Sequence, residues 1–201
     1  WVCDKFKWDD EYKYNRGKVL NKDDLDEIEN FGRYLDVDND GICYRTYPGT
    51  HPEKGAFFTR GTSHDEYARY TEDGEVNAAT LSRLMKKFRT ASELVPEPVI
   101  EINGEDSCGV IFYGSTSPAV HEAKDILKEK EINIDLMQIR SFPFNLDVWE
   151  FIANHDRIYV VEQNRDSQMR TLIMAEGGIS PEILRPLVHF TGDPIQASYI
   201  V

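Results

Sequence analysis

Two stretches of the chain carry short runs of β-branched and apolar residues that end in polar residues and are followed by a helical pattern. The first run is 109–113, followed by the turn 114–118, and the second is 157–161, followed by the turn 162–166. An apolar strand that leads through a polar turn into a helix is typical of a parallel sheet. Because ligands bind outside the carboxyl ends of such strands, the sequence predicts a functional site at these two turns.

The same alternation continues through the second half of the chain. It predicts strands at 110–113, 134–139, 158–161 and 187–190, and helices at 118–129, 147–154 and 168–175. Strands that alternate with helices favour an α/β fold with a three-layer α/β/α arrangement, a mostly parallel sheet and right-handed crossovers.

The first half of the chain lacks this regularity. A short helix is predicted at 22–34, where Asn21 can cap the first turn, and a longer one at 75–94, where apolar residues recur at spacings of three and four. Pro96 and Pro98 end the longer helix. We therefore predict an irregular extension with a linker helix over 1–95 and the α/β domain over 96–201.

Composition limits the classes of function. Thirty-six acidic against 23 basic residues give a formal net charge of −13, which argues against nucleic acid as a partner, since that binding depends on clustered Lys and Arg. No apolar run approaches the roughly 20 residues of a membrane span. Cys3, Cys43 and Cys108 form no CxxC pair, so the chain alone is not expected to hold zinc or an iron–sulfur cluster. Reduced thiols indicate a cytoplasmic location.

An acidic motif in the first half is similar to the opening of a calcium-binding loop. Asp36, Asp38 and Asp40 alternate along the chain and Gly41 follows them, as at the first, third, fifth and sixth positions of such a loop. The twelfth position, where a bidentate Glu belongs, is Tyr47, so a complete EF-hand is excluded. One interpretation is a Ca²⁺ or Mg²⁺ site completed by a distant carboxylate or by water. The other is an acidic turn held by Asx hydrogen bonds to its own backbone.

Several segments together resemble one enzyme family. The second half resembles the transketolase C-terminal-like domain through YGSTSP at 113–118, RSFPF at 140–144 and VVEQNRDSQ at 160–168. It resembles most that domain in the alpha subunit of 2-oxoacid:ferredoxin oxidoreductases. The first half is similar to the same subunit through RGKVL at 16–20, FGRYLDVDNDG at 31–41, YRTYPGT at 44–50 and FTRGT at 58–62.

The resemblance implies an activity that belongs to a larger assembly. These enzymes decarboxylate a 2-oxoacid oxidatively with coenzyme A, form an acyl-CoA and pass electrons to ferredoxin. Thiamine diphosphate with Mg²⁺ carries the chemistry, an iron–sulfur cluster takes the electrons, and a beta subunit binds the diphosphate. The chain begins at Trp1 rather than Met, and we expect it to be the C-terminal part of an alpha subunit of the 2-oxoglutarate type.

The sequence departs from the family in ways that limit this expectation. The GDG signature of diphosphate binding is absent, because Asp38-Asn-Asp-Gly41 lacks the first Gly and no Asn pair follows. The cluster cysteines are absent as well. The fragment is therefore expected to be inactive alone, and no catalytic residue is assigned to it.

The resemblance and the turn pattern together suggest three groups of site residues. The turn after the first strand can bind an anion such as a CoA phosphate through backbone N–H groups, although capping of the next helix by Ser117 explains the same pattern; its residues are Gly114, Ser115, Thr116 and Ser117. The second turn supplies polar groups that brace the loop or face a partner subunit, namely Glu162, Asn164 and Gln168. Arg60 and Thr62 are interpreted as facing the substrate or the partner subunit.

A second class of function stays open at this point. The chain can also be a stand-alone acidic module that binds a cation at the Asp36 loop or a protein partner at its acidic surface. The enzyme-subunit interpretation predicts a cognate beta subunit, whereas the binding module predicts a monomer that binds unaided.

Overall fold

The computed structural model describes residues 8–58, 61, 63–104 and 108–201. The chain divides into two compact units, which we call unit 1 and unit 2 and which meet in sequence at Thr90 and Ala91. This division lies near the predicted boundary after residue 95, and the domain assignment itself stays a prediction. The helices of unit 1 are α1 (Lys22–Glu27) and α2 (Gly74–Ser92), the second of which extends to the start of unit 2.

Unit 2 is built on one sheet. Its strands are β1 (Val99–Glu101), β2 (Cys108–Tyr113), β3 (Ile134–Ile139), β4 (Ile158–Glu162) and β5 (Leu184–Val188). The order across the sheet is β1-β3-β2-β4-β5. Strand β1 pairs with β3 in antiparallel fashion, and the other pairings are parallel. The helices are α3 (Ser117–Glu129), α4 (Leu146–Ala153), α5 (Gln168–Gly177) and α6 (Ala197–Ile200).

Apolar side chains cover both faces of this sheet. On one face Val110 and Phe112 pack with Val120 of α3. On the other face Ile111 packs with Phe151 of α4 and with a cluster that includes Ile173 of α5. Successive residues of β2 therefore serve opposite cores, as a strand buried on both sides requires. The predicted α/β fold with three layers and a mostly parallel sheet is confirmed.

Three elements of unit 2 differ from the sequence-based prediction. Strand β1 was not expected, because three residues carry little periodicity and their pairing with β3 spans more than thirty positions. Strand β5 begins three residues before the predicted 187–190, since Pro186 is tolerated on an edge strand and hides the pattern. The short helix α6 adds Ala197, which is 3% exposed.

Helix α1 is shorter than predicted. Asn21 caps it as expected, with a reciprocal capping box to Asp24. The helix ends at Glu27, because Ile28 adopts an extended conformation. The ammonium of Lys54 donates to the carbonyl oxygens of Leu25 at 2.7 Å and Ile28 at 2.5 Å. Lys54 thus satisfies carbonyl oxygens at the end of α1, which would otherwise be bonded by N–H groups of a further helical turn.

Helix α2 confirms the helix predicted at 75–94, but none of its residues is buried. Its apolar side chains form an outward row that we call the outer stripe: Leu81, Leu84, Met85 and Phe88, which are 55%, 37%, 61% and 50% exposed. Within the part of the chain that the structure describes, no helix combines the length and apolar character that a membrane crossing requires.

Candidate functional site at the carboxyl edge of the sheet

The two turns predicted to carry function lie side by side at one edge of the sheet. Strands β2 and β4 are parallel neighbours, with Phe112 paired to Val161 near their carboxyl ends. From β2 the chain crosses to β3 on one side, and it then returns to β4 on the other side. Such a reversal of strand order opens a crevice at the carboxyl ends of the two strands, where ligands of α/β proteins bind.

The first turn leads into α3 through a single 3-10 turn, Gly114–Thr116. Gly114 has a φ of +57°, a conformation that glycine adopts without a steric penalty. Thr116 rather than Ser117 occupies the N-cap position of α3, and its side chain makes no capping hydrogen bond. The Ser117 N–H donates to the carbonyl oxygen of Gly114. The Ser117 side chain therefore does not cap α3. Gly114 and Ser115 are exposed at the edge of the sheet.

Glu162, the last residue of β4, is a fully buried carboxylate. One oxygen accepts hydrogen bonds from the backbone N–H of Met169 at 2.8 Å and from the side-chain amide of Asn164 at 2.7 Å. The other oxygen accepts from the backbone N–H of Arg170 at 3.1 Å. The carboxylate thus satisfies free N–H groups in the first turn of α5, where the helix dipole also favours a negative charge.

Asn164 and Gln163 connect the second turn with the first. The Asn164 amide lies 3.4 Å from the Tyr113 hydroxyl oxygen, and the Gln163 amide nitrogen lies 3.3 Å from the hydroxyl oxygens of both Ser115 and Thr116. Burial, and then the nearby charge of Glu162, raises the pKa of Tyr113 above its ordinary value. The tyrosine therefore stays a neutral hydroxyl in this network.

The sequence does not predict the bridging role of Gln163. Its partners lie 47 and 48 positions away in the chain, and only the parallel pairing of β2 with β4 brings them together. The position of Gln163 in the sequence does give one indication. It is a polar residue directly after a buried strand, and such residues often lie at the carboxyl edge of the sheet.

The remaining predicted residues of this group are placed differently. Gln168 is exposed, and its backbone N–H donates to the Asn164 side-chain oxygen at 3.2 Å. Asn164 therefore fixes the start of α5 together with Glu162. Arg60 and Thr62 lie outside the described residues.

The segment 36–41 of unit 1, which we call the acidic loop, holds a lysine between two of its carboxylates. The Lys18 ammonium lies 2.6 Å from an oxygen of Asp38 and 2.6 Å from an oxygen of Asp40, and it donates to the carbonyl oxygen of Ile42 at 3.1 Å. Partial burial lowers the pKa of Lys18, but the hydrogen bonds and charges of the two carboxylates outweigh it and raise the pKa above its ordinary value. The hydrogen bond from Lys18 is also the main reason that the pKa of each carboxyl lies below its usual range.

The third carboxylate of the loop points to the backbone. One oxygen of Asp36 accepts the N–H groups of Asp40 at 3.0 Å and Gly41 at 2.9 Å, which is the Asx turn considered from the sequence. Among the residues that the structure describes, no group of three or more His, Cys, Asp or Glu side chains is arranged to hold a metal ion. A divalent cation bound by Asp36, Asp38 and Asp40 thus stays a prediction that this geometry does not support.

The described cysteines do not fit an iron–sulfur cluster. Cys43 and Cys108 are both free thiols and partly buried, and they belong to different units. A cluster is held by four thiolates, more than the described cysteines supply. Burial raises the pKa of each described thiol above its ordinary value.

Comparisons with known proteins point in one direction. No protein-family model matches the chain. It is 28% identical over 186 residues to the alpha subunit of 2-oxoacid:ferredoxin oxidoreductase 2 of Aeropyrum pernix, an alignment that covers 90% of this chain and 27% of the relative. It is 27% identical over 191 residues to the alpha subunit of 2-oxoacid:ferredoxin oxidoreductase 1 of Sulfurisphaera tokodaii, covering 92% of this chain and 28% of that subunit. The chain thus spans about a quarter of the length of these relatives.

A solved structure has the same fold. It is the 2-oxoglutarate:ferredoxin oxidoreductase from Magnetococcus marinus, with 2-oxoglutarate, coenzyme A and succinyl-CoA bound. The match covers 88% of this chain and 30% of the other, with a TM-score of 0.75 and 22% sequence identity. At this identity the likeness concerns the fold alone.

Proposed function

Since the chain is homologous to part of the alpha subunit of 2-oxoacid:ferredoxin oxidoreductases, we propose that it forms the C-terminal portion of such a subunit. The whole enzyme would convert a 2-oxoacid and coenzyme A into an acyl-CoA, with electrons passed to ferredoxin. The observation that carries the proposal is the alignment over nine-tenths of the chain, which includes both units.

The role that we propose for this portion is structural. Among its described residues no group of three or more His, Cys, Asp or Glu side chains is arranged to hold a metal ion. We propose that thiamine diphosphate, magnesium and the iron–sulfur cluster are held by other parts of the enzyme. No catalytic step is assigned to this chain.

The carboxyl edge of the sheet is the part that we expect to face the rest of the enzyme. Side chains of the second turn, Glu162, Gln163 and Asn164, form hydrogen bonds that hold both turns in place. Gly114 and Ser115 are exposed on the turn held in this way. Free backbone N–H groups at such a turn suit an anionic group, such as a CoA phosphate or the carboxylate of a 2-oxoacid. The beta subunit is the proposed partner.

We propose 2-oxoglutarate as the substrate of the whole enzyme, from the resemblance of the sequence. The stand-alone cation-binding module receives no support, because Lys18 lies between Asp38 and Asp40 where a cation was expected.

The test is an activity assay of the enzyme that contains this chain. The complete alpha polypeptide is co-expressed anaerobically with its beta subunit, and CoA-dependent reduction of a low-potential dye is measured with a panel of 2-oxoacids. We expect turnover with 2-oxoglutarate above that with pyruvate.

A matched pair of variants shows whether the carboxyl edge contributes. Gln163→Ala removes the link between the two turns, whereas Glu176→Ala changes an exposed side chain at the opposite end of α5. We expect a lower kcat/KM only for the first. A folded, cofactor-loaded complex that turns over no 2-oxoacid contradicts the proposed function.

A further inference from the structure

Tyr113 ends strand β2 at the point where the strand order reverses. It pairs with Ile139 of β3 on one side, and β4 lies on the other side of its strand. The ring is partly buried and packs against the apolar cluster that contains Ile111. The hydroxyl group of Tyr113 is thus the polar end of an otherwise apolar side chain, in the region where ligands of α/β proteins bind.

The side-chain amide of Asn164, which contacts this hydroxyl, has a fixed orientation. Its oxygen accepts the backbone N–H groups of Asp166 at 3.1 Å and Gln168 at 3.2 Å. Its nitrogen donates to the Glu162 carboxylate at 2.7 Å. The reverse orientation would place the amide oxygen against the carboxylate and the NH₂ group against two N–H donors. The nitrogen of Asn164 therefore faces Glu162.

This orientation decides the direction of the hydrogen bond between Asn164 and Tyr113. An amide NH₂ group has two protons to donate and accepts none. One proton is directed to Glu162, and the other to the Tyr113 hydroxyl oxygen at 3.4 Å. The tyrosine oxygen is therefore an acceptor in this contact, and the proton of its own hydroxyl is directed elsewhere.

The hydroxyl proton of Tyr113 is present and available. Burial raises the pKa of Tyr113 above its ordinary value, so the group keeps its proton at neutral pH. Within the part of the chain that the structure describes, no acceptor receives this proton. The first turn repeats this polarity at Ser115, whose hydroxyl oxygen lies 3.3 Å from the donating amide nitrogen of Gln163.

From this proton count we infer that the Tyr113 hydroxyl binds ligand, by donating a hydrogen bond to an anionic oxygen of a phosphate or a carboxylate. The inference rests on the proposed function and adds a side-chain donor to the backbone N–H groups of residues 114–117. The charge of Glu162 is balanced in part by the N–H groups of Met169 and Arg170 at the positive end of α5. An O–H group held in one direction by its neighbours needs little reorganisation to bind such an oxygen.

Removal of the hydroxyl alone tests this inference. Tyr113→Phe keeps the ring, and Tyr159→Phe is the matched control, because Tyr159 is a partly buried tyrosine near the amino end of the neighbouring strand β4. The complete alpha polypeptide is co-expressed anaerobically with its beta subunit. Calorimetric titration then measures the dissociation constants of coenzyme A and of 2-oxoglutarate, each in the absence of the other substrate.

One of these two dissociation constants should rise in Tyr113→Phe. A hydrogen bond to a charged group contributes about tenfold or more to binding, so we expect a rise of at least about fivefold. Tyr159→Phe should change both constants by less than about twofold. A rise for coenzyme A identifies a phosphate oxygen as the acceptor, and a rise for 2-oxoglutarate identifies a carboxylate oxygen.

The other outcomes contradict the inference. Smaller changes in both constants show that the hydroxyl does not bind either ligand, and an equal rise in Tyr159→Phe shows that the effect is not specific to the carboxyl edge. A rise in both constants of Tyr113→Phe reports a structural role and also overturns the inference.

Binding needs no turnover, so this result can be separated from that of the activity assay. An inactive complex in which Tyr113→Phe weakens one ligand contradicts only the proposed function. An active enzyme with unchanged dissociation constants contradicts only the role of Tyr113. A complex that neither turns over nor binds either ligand overturns both.

Discussion

The two units of this chain are stabilised by different means. Unit 2 places apolar clusters on both faces of its sheet, with side chains such as Ile111 and Val160 fully buried. The described part of unit 1 buries Leu25 alone among its hydrophobic side chains, and charged groups such as Lys18 and Lys54 hold its loops together. Unit 2 therefore has the core of an independent domain, whereas the described part of unit 1 has no comparable apolar core.

The largest difference is expected between a core side chain of unit 2 and an exposed one of unit 1. Phe112 is 1% exposed and Leu81 is 55% exposed. Removing a buried ring leaves a cavity, so Phe112→Ala should lower the free energy of unfolding by about 3–5 kcal/mol. Leu81→Ala should change it by less than about 0.5 kcal/mol. Urea unfolding followed by circular dichroism measures both, and similar losses from the two variants would remove the contrast between the units.

The next effect concerns the buried carboxylate at the carboxyl edge of the sheet. Glu162→Ala leaves the N–H groups of Met169 and Arg170 and the Asn164 amide without their acceptor. Since unsatisfied buried donors are costly, we expect a loss of roughly 3 kcal/mol in the free energy of unfolding. Glu162→Gln retains one oxygen acceptor and should lose less.

The control for this prediction is Gln168→Ala, because the Gln168 side chain is exposed. It should leave stability within about 0.5 kcal/mol of the natural chain. A loss at Gln168 as large as that at Glu162 would show that the loop, rather than the buried carboxylate, stabilises this edge.

The fold of unit 2 could be predicted because its signals are local. Each buried strand ends in a polar turn within the same short stretch, so residues 109–118 and 157–166 suffice to predict a parallel sheet and the edge that carries Gly114 and Glu162. Strand β1 could not be located, and β5 was predicted at 187–190 instead of its observed position, because pairing with neighbouring strands rather than local periodicity defines these two strands.

Contacts between distant residues explain what the sequence could not show. Lys18 meets Asp40 across 22 positions, and the spacing of the acidic motif does not reveal that a lysine lies among its carboxylates. Likewise His155 lies between the carbonyl oxygen of Phe151 at 2.7 Å and a carboxylate oxygen of Asp135 at 3.1 Å. Only the folded chain brings the last pair together.

A smaller effect is expected from the charged contacts of unit 1, and it depends on pH. The pKa of Asp38 and the pKa of Asp40 are lowered in the folded chain, mainly by the hydrogen bond from Lys18. Their stabilisation is therefore present above the unfolded-state pKa of about 3.9 and is lost as pH falls through the folded values. Because the pKa of Lys18 is raised, its own stabilisation is lost only in strong alkali.

Lys18→Met should consequently destabilise unit 1 at neutral pH, and the difference from the natural chain should shrink below about pH 4. Carboxyl-carbon NMR titration should show both aspartate pKa values rising in the variant. Unchanged pKa values in the variant would mean that Lys18 does not bind these carboxylates in solution.

The smallest effect is expected in the binding of divalent cations. The comparison is between the acidic loop with Lys18 and the same loop without it. In the natural chain the Lys18 ammonium already lies 2.6 Å from both carboxylates, so calorimetric titration with millimolar Ca²⁺ or Mg²⁺ should give no heat beyond dilution. Lys18→Met frees Asp38 and Asp40 and should allow weak Ca²⁺ binding, with a dissociation constant on the order of 10⁻³ M. Adding Asp38→Asn to that variant should abolish the binding. If the natural chain binds Ca²⁺ more tightly than Lys18→Met does, the loop is a metal site, and a cation rather than a lysine organises unit 1.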